Sequence, residues 1–250
     1  MADGLRWLGH STVLVELDGA RVLTDPLLRK RVVHLLRAAP LELEGLDELD
    51  AVLVSHVHYD HLDLPSLRLL PRDVTVVLPR GAGRLVRKQG FSSVEEVAVG
   101  DLVRIGQVTV RATYADHAAS RVLGANVDAL GFVIEGTRRV YFAGDTDIFP
   151  GMTELVPLDV ALMPIWGWGP SLGSGHLDPK EAARALTLLE PDVAIPIHWG
   201  TYYPLTSMRP TLPSFLRTPV PTFLREAARV APGVEVRVLD VGGSSTLGRD

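Results

Sequence analysis

Four side chains of metal-binding type fall within six positions, His56, His58, Asp60 and His61, in the pattern H-x-H-x-D-H. Imidazole and carboxylate suit zinc and the divalent ions that border it in softness. One histidine alone would read as a solvated or core residue. Four ligand types this close together read as a metal-binding turn. The run before them, Ala51 to Val54, is short, apolar and rich in β-branched residues, which predicts a strand buried on both faces. A turn leaving the end of such a strand lets its side chains converge on one point.

Further ligand types stand just past other apolar runs. His117 follows VTVRATYA, Asp145 follows VYFA in the turn Gly144-Asp145-Thr146, and His198 follows VAIPI. Each alone reads as a structural residue. Together they repeat one placement, a ligand type at the end of a buried strand, and sites in sheet proteins gather at strand ends.

The set HVHYDHLD at 56–63, the later His117, GDT at Asp145 and IHWGT at 197–201 resembles the metallo-β-lactamase superfamily. Within it the chain is most similar to the branch of N-acylphosphatidylethanolamine-hydrolysing phospholipase D and L-ascorbate-6-phosphate lactonase. That likeness rests on WLGHST around His10, TDP at Asp25, HYDHLD, GHLDPKEA around His176, and IHWGT. The resemblance implies an α/β fold, the αββα four-layer sandwich, with two divalent metal ions, zinc first and manganese or iron as alternatives. It implies that His56, His58 and His117 bind one ion, that Asp60, His61 and His198 bind the other, and that Asp145 bridges them. Two such ions, roughly 3.5–4 Å apart, can share a hydroxide and lower the pKa of its parent water toward ~7. The activity implied is hydrolysis of a phosphodiester or related ester. The alternatives are a lactonase acting on a cyclic ester and, from another class, a metal-binding protein without catalysis.

Asp60, His10 and His176 are the catalytic candidates. GHLDP precedes a helix signal, which puts His176 in a loop; a surface histidine is the plainer reading. In similar phosphodiesterases a histidine in this motif faces the substrate. Asp25 and Asp63 are candidates to orient ligand imidazoles, and turn or cap carboxylates are the equal alternative for each. Tyr59, Trp166, Trp168, Trp199, Tyr202 and Tyr203 can build an aromatic wall beside the metals, or can pack a core, the commoner use of aromatics.

The elements that must position these residues follow from pattern. Leu5–Gly9, Thr12–Leu17 and Arg21–Thr24 read as strands, with Asp18-Gly19 as a hairpin turn. Residues 27–37 read as a basic amphipathic helix, with Leu28, Val32, Leu35 and Leu36 on one face. Such a helix can touch a membrane surface peripherally, or can be an ordinary solvated helix. Pro65–Leu70, Gly81–Gln89, Pro179–Leu189 and Thr222–Val230 read as helices. Strands are expected at Val74–Leu78, Val94–Val99, Val108–Tyr114, Leu130–Ile134, Arg139–Ala143, Asp159–Met163, Val193–Ile197 and Val234–Val241. The two halves divide near residue 110, and the tail from Gly242 is expected to fray.

The 250 residues carry no long linker between the halves, so residues 1–250 are expected to form a single domain. A hydrophobic fraction of 46% supports a sizeable core. No apolar run approaches the roughly 18 residues of a membrane span. MADGLRWLGHS has no signal-type apolar region, so a cytoplasmic protein is the expectation. The absence of cysteine excludes disulfides and thiolate ligands. A net charge of −5 argues against a nucleic-acid partner. A small-molecule or lipid ester is therefore the expected partner, with no expectation for the oligomeric state.

Overall fold

The computed structural model describes the chain apart from residues 1–2, 42, 119, 123–124, 208–212 and 250. Two seven-stranded sheets face each other. The first runs, in spatial order, Ser244–Ser245, Gly4–Gly9, Thr12–Leu17, Ala20–Thr24, Ala51–Leu53, Thr75–Pro79 and Val94–Val97. The second runs Glu235–Val236, Val193–Ile197, Val160–Pro164, Arg139–Phe142, Leu130–Glu135, Val108–Tyr114 and Leu102–Ile105. Side chains alternate between the two faces of each strand. Val13, Val15, Phe132, Ile134, Leu162 and Ile195 therefore point into the core between the sheets. Leu14, Val133, Ala161 and Ala194 point outward.

Helices cover both outward faces. Leu64–Leu67 and Gly83–Arg87 lie over the first sheet, and Leu67 and Val86 join Leu14, Val52 and Val76. Pro179–Leu189 and Pro219–Val230 lie over the second, and Leu186, Leu189 and Phe223 join Tyr141, Ala161 and Met163. The result is the expected helix–sheet–sheet–helix layering.

Local signals explain most boundaries. The hairpin from Thr12–Leu17 to Ala20–Thr24 turns at Asp18 and Gly19, with φ of 50° and 80°. A two-residue hairpin turn of this type needs both central residues left-handed, which Asp-Gly permits. Helix Pro179–Leu189 starts at a full capping box: Asp178 accepts from the Lys180 and Glu181 amides, and Glu181 accepts from the Asp178 amide. Pro219–Val230 begins three residues before the expected Thr222. Its prolines occupy the first turn, where a missing N–H costs no helical bond.

Four expectations are corrected. Residues 27–37 are not a helix. They form the short strands Arg31–Val32 and Leu35–Arg37, which pair with Tyr202–Pro204 in a three-stranded sheet. Leu27, Leu28, Val32 and Leu35 are all buried, so the apolar face required for membrane contact is turned inward. The helical spacing of these leucines coincided with inward positions of a hairpin. Second, the halves divide between Val97 and Leu102, not near 110, because the weakly apolar edge strand Leu102–Ile105 opens the second sheet. Third, the tail from Gly242 does not fray within the described residues. Ser244–Ser245 pairs with Gly4–Gly9, Gly242 N donates to the Trp7 carbonyl at 2.7 Å, and Leu247 is buried. The tail satisfies a strand edge that would otherwise face water. Fourth, the expected strand Val234–Val241 shortens to Glu235–Val236.

Candidate metal centre

The ligand types arrive at one end of the facing sheets, as their placement past strand ends requires. The turn after Ala51–Leu53 brings in His56, His58, Asp60 and His61. The strands Val108–Tyr114, Arg139–Phe142 and Val193–Ile197 end before His117, Asp145 and His198. The sheets are tied together here, since Leu130 N donates to the Ser55 carbonyl at 2.9 Å. At Gly144 a Cβ would meet Ser55 Cβ at 2.7 Å and the Leu130 carbonyl oxygen at 2.9 Å, with φ at +63°. Only glycine lets the chain pass close enough to deliver Asp145.

Ligand atoms of His56, His58 and His117 lie within 4.8 Å of one another, as do those of His10, Asp60, His61 and His198. His58 Nδ1 is 2.9 Å from His56 Nε2 and 3.1 Å from His117 Nε2. In the second group, His61 Nε2 and His198 Nε2 are 3.2 Å apart. Asp145 stands between the groups: Oδ2 is 3.2 Å from His61 Nε2 and 3.9 Å from His56 Nε2, and Oδ1 is 3.3 Å from His198 Nε2. The same geometry draws in His176, whose Nε2 is 3.3 Å from Asp145 Oδ2. It forms a further possible ligand group with His117 and Asp145.

The opposite ring nitrogens are held by the fold. His117 Nδ1 donates to the Gly175 carbonyl at 2.8 Å, and His198 Nδ1 to the Trp166 carbonyl at 2.7 Å. Asp25 accepts from His61 Nδ1 at 2.6 Å and, on its two oxygens, from the Ser55 hydroxyl and amide at 2.6 and 2.7 Å. The Ser55 oxygen in turn accepts from His56 Nδ1 at 2.9 Å. These bonds fix the tautomers of His117, His198 and His56 so that each Nε2 lone pair faces the centre.

Lone pair then meets lone pair. Asp145 Oδ1 is buried without a hydrogen-bond partner although His198 Nε2 is 3.3 Å away. Two electron donors pressed together in a buried site are stable only with a cation between them, so the donor set fits divalent metal ions. Four of the five ligand imidazoles have protonation states that agree. Burial holds His198 down at about 3, and burial also lowers His56, His58 and His117, favouring neutral ligands. His61 is raised well above the ordinary range: burial opposes its charge, but Asp145, Asp60 and Asp25 together outweigh burial. Asp145 and Asp60 are also resisted by burial, yet the surrounding imidazoles hold both carboxyls well below the usual range.

The cavity beside this cluster is about 330 Å³. Tyr59 and Trp168 line it, together with Leu172 and His176. The other aromatic candidates do not. Trp199 stacks on Trp7 at 5.4 Å and packs into the core, and Trp166 donates to the Gly169 carbonyl. Tyr202 is buried with its hydroxyl on the Leu27 and Arg29 carbonyls. Tyr203 pairs with Leu36 in the small sheet. Asp63 proves to be a cap: it accepts from the Ser66 amide and from Arg29 through both oxygens, away from the imidazoles. Its carboxylate is turned to a helix start and an arginine rather than to a ligand ring. His10 Nε2 donates to Asp60 Oδ2 at 3.1 Å.

Sequence reasoning missed Ser55, the carbonyls of Trp166 and Gly175, and the loop around Leu172. The glycine spacing of WGWGPSLGSG was the available signal, since backbone carbonyls carry no residue type. It also left His34 without a place, whereas His34 packs edge-on against Trp168 at 5.1 Å and Tyr59 at 5.9 Å.

A fold of two covered sheets with a histidine–aspartate cluster at strand ends is that of the β-lactamase superfamily, and the chain belongs to it. The model of the beta-lactamase superfamily domain matches residues 20–199. A UPF0173 metal-dependent hydrolase of Methanopyrus kandleri is 33% identical over 252 residues, covering 96% of this chain and 98% of that protein. N-acyl-phosphatidylethanolamine-hydrolyzing phospholipase D 1 of Caenorhabditis elegans is 34% identical over 225 residues, 78% of this chain and 63% of its own length. The chain spans 58% of the uncharacterised Mycobacterium tuberculosis relative that it also matches. The solved structure of Igni18, a metallo hydrolase from Ignicoccus hospitalis, covers 98% of both chains at a TM-score of 0.74 and 24% identity, a likeness of fold. Among the described residues, no helix is long and apolar enough to cross a membrane.

Proposed function

We propose that this protein, a metal-dependent hydrolase of the β-lactamase superfamily with a histidine–aspartate site, holds two divalent ions and cleaves a phosphodiester or related ester. The observation that carries the two-ion reading is Asp145, whose oxygens face ligand atoms of both histidine groups while one oxygen is an orphan. His56, His58 and His117 would hold one ion, Asp60, His61 and His198 the other, with Asp145 between them. Zinc suits this nitrogen-rich set. Bound there, the ions supply Lewis acidity and a water of lowered pKa.

The chain's own residues supply the rest. His176 lines the cavity, with Nδ1 facing the Gly173 and Ser174 carbonyls at 3.2 and 3.1 Å and Nε2 facing Asp145. Burial opposes its charge, but the hydrogen bond and charge of Asp145 raise its pKa above the ordinary value. An imidazole N–H at the cavity wall can donate to a departing ester oxygen. Tyr59, Trp168 and Leu172 give the substrate an apolar wall. The nematode relative is a phospholipase D, which supports a phosphodiester as the first substrate class to test.

The test is a screen of the metal-loaded protein against phosphodiesters, phosphomonoesters, lactones and β-lactams, with chelator-treated protein as control. Turnover is expected on a phosphodiester. Turnover confined to lactones would replace the substrate assignment, and metal-independent turnover would reject the site.

A further inference from the structure

Trp168 stands on the cavity wall and also reaches into the ligand cluster. Its indole Nε1–H donates to Asp60 Oδ2 at 3.0 Å. His10 Nε2–H donates to the same oxygen at 3.1 Å. The two donors come from segments far apart in the chain and close on one carboxylate. An unrestrained carboxylate swings about its terminal torsion, which is broad; two fixed donors hold its plane. An indole N–H can only donate, so Trp168 cannot compete with Asp60 for a cation.

The other side of the ring is anchored too. Trp168 packs against the buried group of Leu27, Val32, Leu35 and Tyr202, edge-on to His34. The residues beside it serve the same centre, since the Trp166 carbonyl orients His198 and the Gly175 carbonyl orients His117.

We propose that Trp168 is a positioning residue for the metal centre: its indole N–H sets the Asp60 carboxylate, while its ring forms the wall against which the substrate rests. This rests on the proposed two-ion site through Asp60 as a ligand. One side chain thereby fastens the substrate pocket to the second ligand group, and a change in the wall is felt at the metal.

Trp168→Phe separates the two roles, because it keeps a ring on the wall and removes the N–H. Zinc affinity measured by competition with a chromophoric chelator should fall about 10-fold for one ion and stay unchanged for the other, as for loss of a ligand-orienting partner. KM for a nitrophenyl phosphodiester should stay near wild type in Trp168→Phe and rise in Trp168→Ala. A readout independent of metal is the indole N–H resonance in ¹⁵N-labelled, chelator-treated protein. The signal missing in Trp168→Phe should be protected from exchange in wild type and lose protection in Asp60→Ala. Wild-type zinc affinity for both ions in Trp168→Phe would overturn the proposal, as would an indole signal indifferent to Asp60→Ala. If wild type binds fewer than two ions while the indole signal still responds to Asp60, the two-ion reading has failed and the contact is merely structural.

Discussion

Asp25→Asn removes one charge from a residue that touches no substrate and should still cripple the metal centre. Asp25 is fully buried and accepts three hydrogen bonds, from His61 Nδ1 at 2.6 Å and from the Ser55 hydroxyl and amide. Its φ of 29° lies in the left-handed region, which asparagine tolerates as well as aspartate. The backbone therefore has no reason to move. An asparagine oxygen can still accept from the Ser55 amide, but its NH2 then faces His61 Nδ1. His61 must present an acceptor there and carry its proton on Nε2, the atom 3.2 Å from both Asp145 Oδ2 and His198 Nε2. A protonated Nε2 cannot ligate. Orienting partners of this kind are worth roughly 10–100-fold in metal affinity, or about 1.4–2.7 kcal/mol. The assay is zinc competition against a chromophoric chelator, with thermal unfolding of the chelator-treated protein alongside. Affinity for one ion should fall in that range. Unchanged affinity in a folded variant would refute the tautomer argument, and equal loss at both ions would show a general collapse of the site.

Asp145→Asn keeps the size of the residue between the two groups and removes its charge. It should lose one ion by elemental analysis and at least ~10²-fold in turnover. His176→Ala should retain both ions and lose ~10²–10⁴-fold in turnover on unactivated esters, with a smaller loss on nitrophenyl esters that need no proton for departure. Equal losses on both substrate types would assign His176 to binding. Glu96 offers a test away from the centre. Its carboxyl is held below the ordinary value chiefly by the Arg87 hydrogen bond, against burial and with help from the Gly83 and Gly81 amides. A lowered folded-state pKa means its stabilisation is present above the unfolded value and lost as pH falls through the folded one. Glu96→Gln should lower Tm at pH 7, and the gap from wild type should close as the pH drops below ~4. A gap that persists at acid pH would show the effect is not the carboxylate's charge.

How much of this was legible in the sequence depends on whether a residue type carried the information. The ligand types were legible because imidazoles and carboxylates past apolar runs are rare in combination, and His56, His58, Asp60, His61, His117, Asp145 and His198 do converge. Helix Pro179–Leu189 was legible to the residue because Asp178, Pro179 and Glu181 spell out its cap. The segment 27–37 was misread because Leu28, Val32 and Leu35 satisfy a helical period and an inward-facing hairpin alike; pairing with Tyr202–Pro204, some 170 residues away, decided it. Asp63 and Asp25 look alike in sequence, each an aspartate near a proline, and only the fold put one on Arg29 and the other on His61. The aromatic wall was legible only in part, since Trp168 and Tyr59 face the cavity while Trp199 and Tyr202 complete the core.

In the proposed site seven side chains hold two ions with Asp145 between them. Elemental analysis after chelator treatment, reconstitution with zinc or manganese and removal of excess metal tests it most directly. Close to two equivalents per chain are expected, with hydrolytic activity tracking the second equivalent. A stoichiometry that stays at or below one under saturating metal would contradict it.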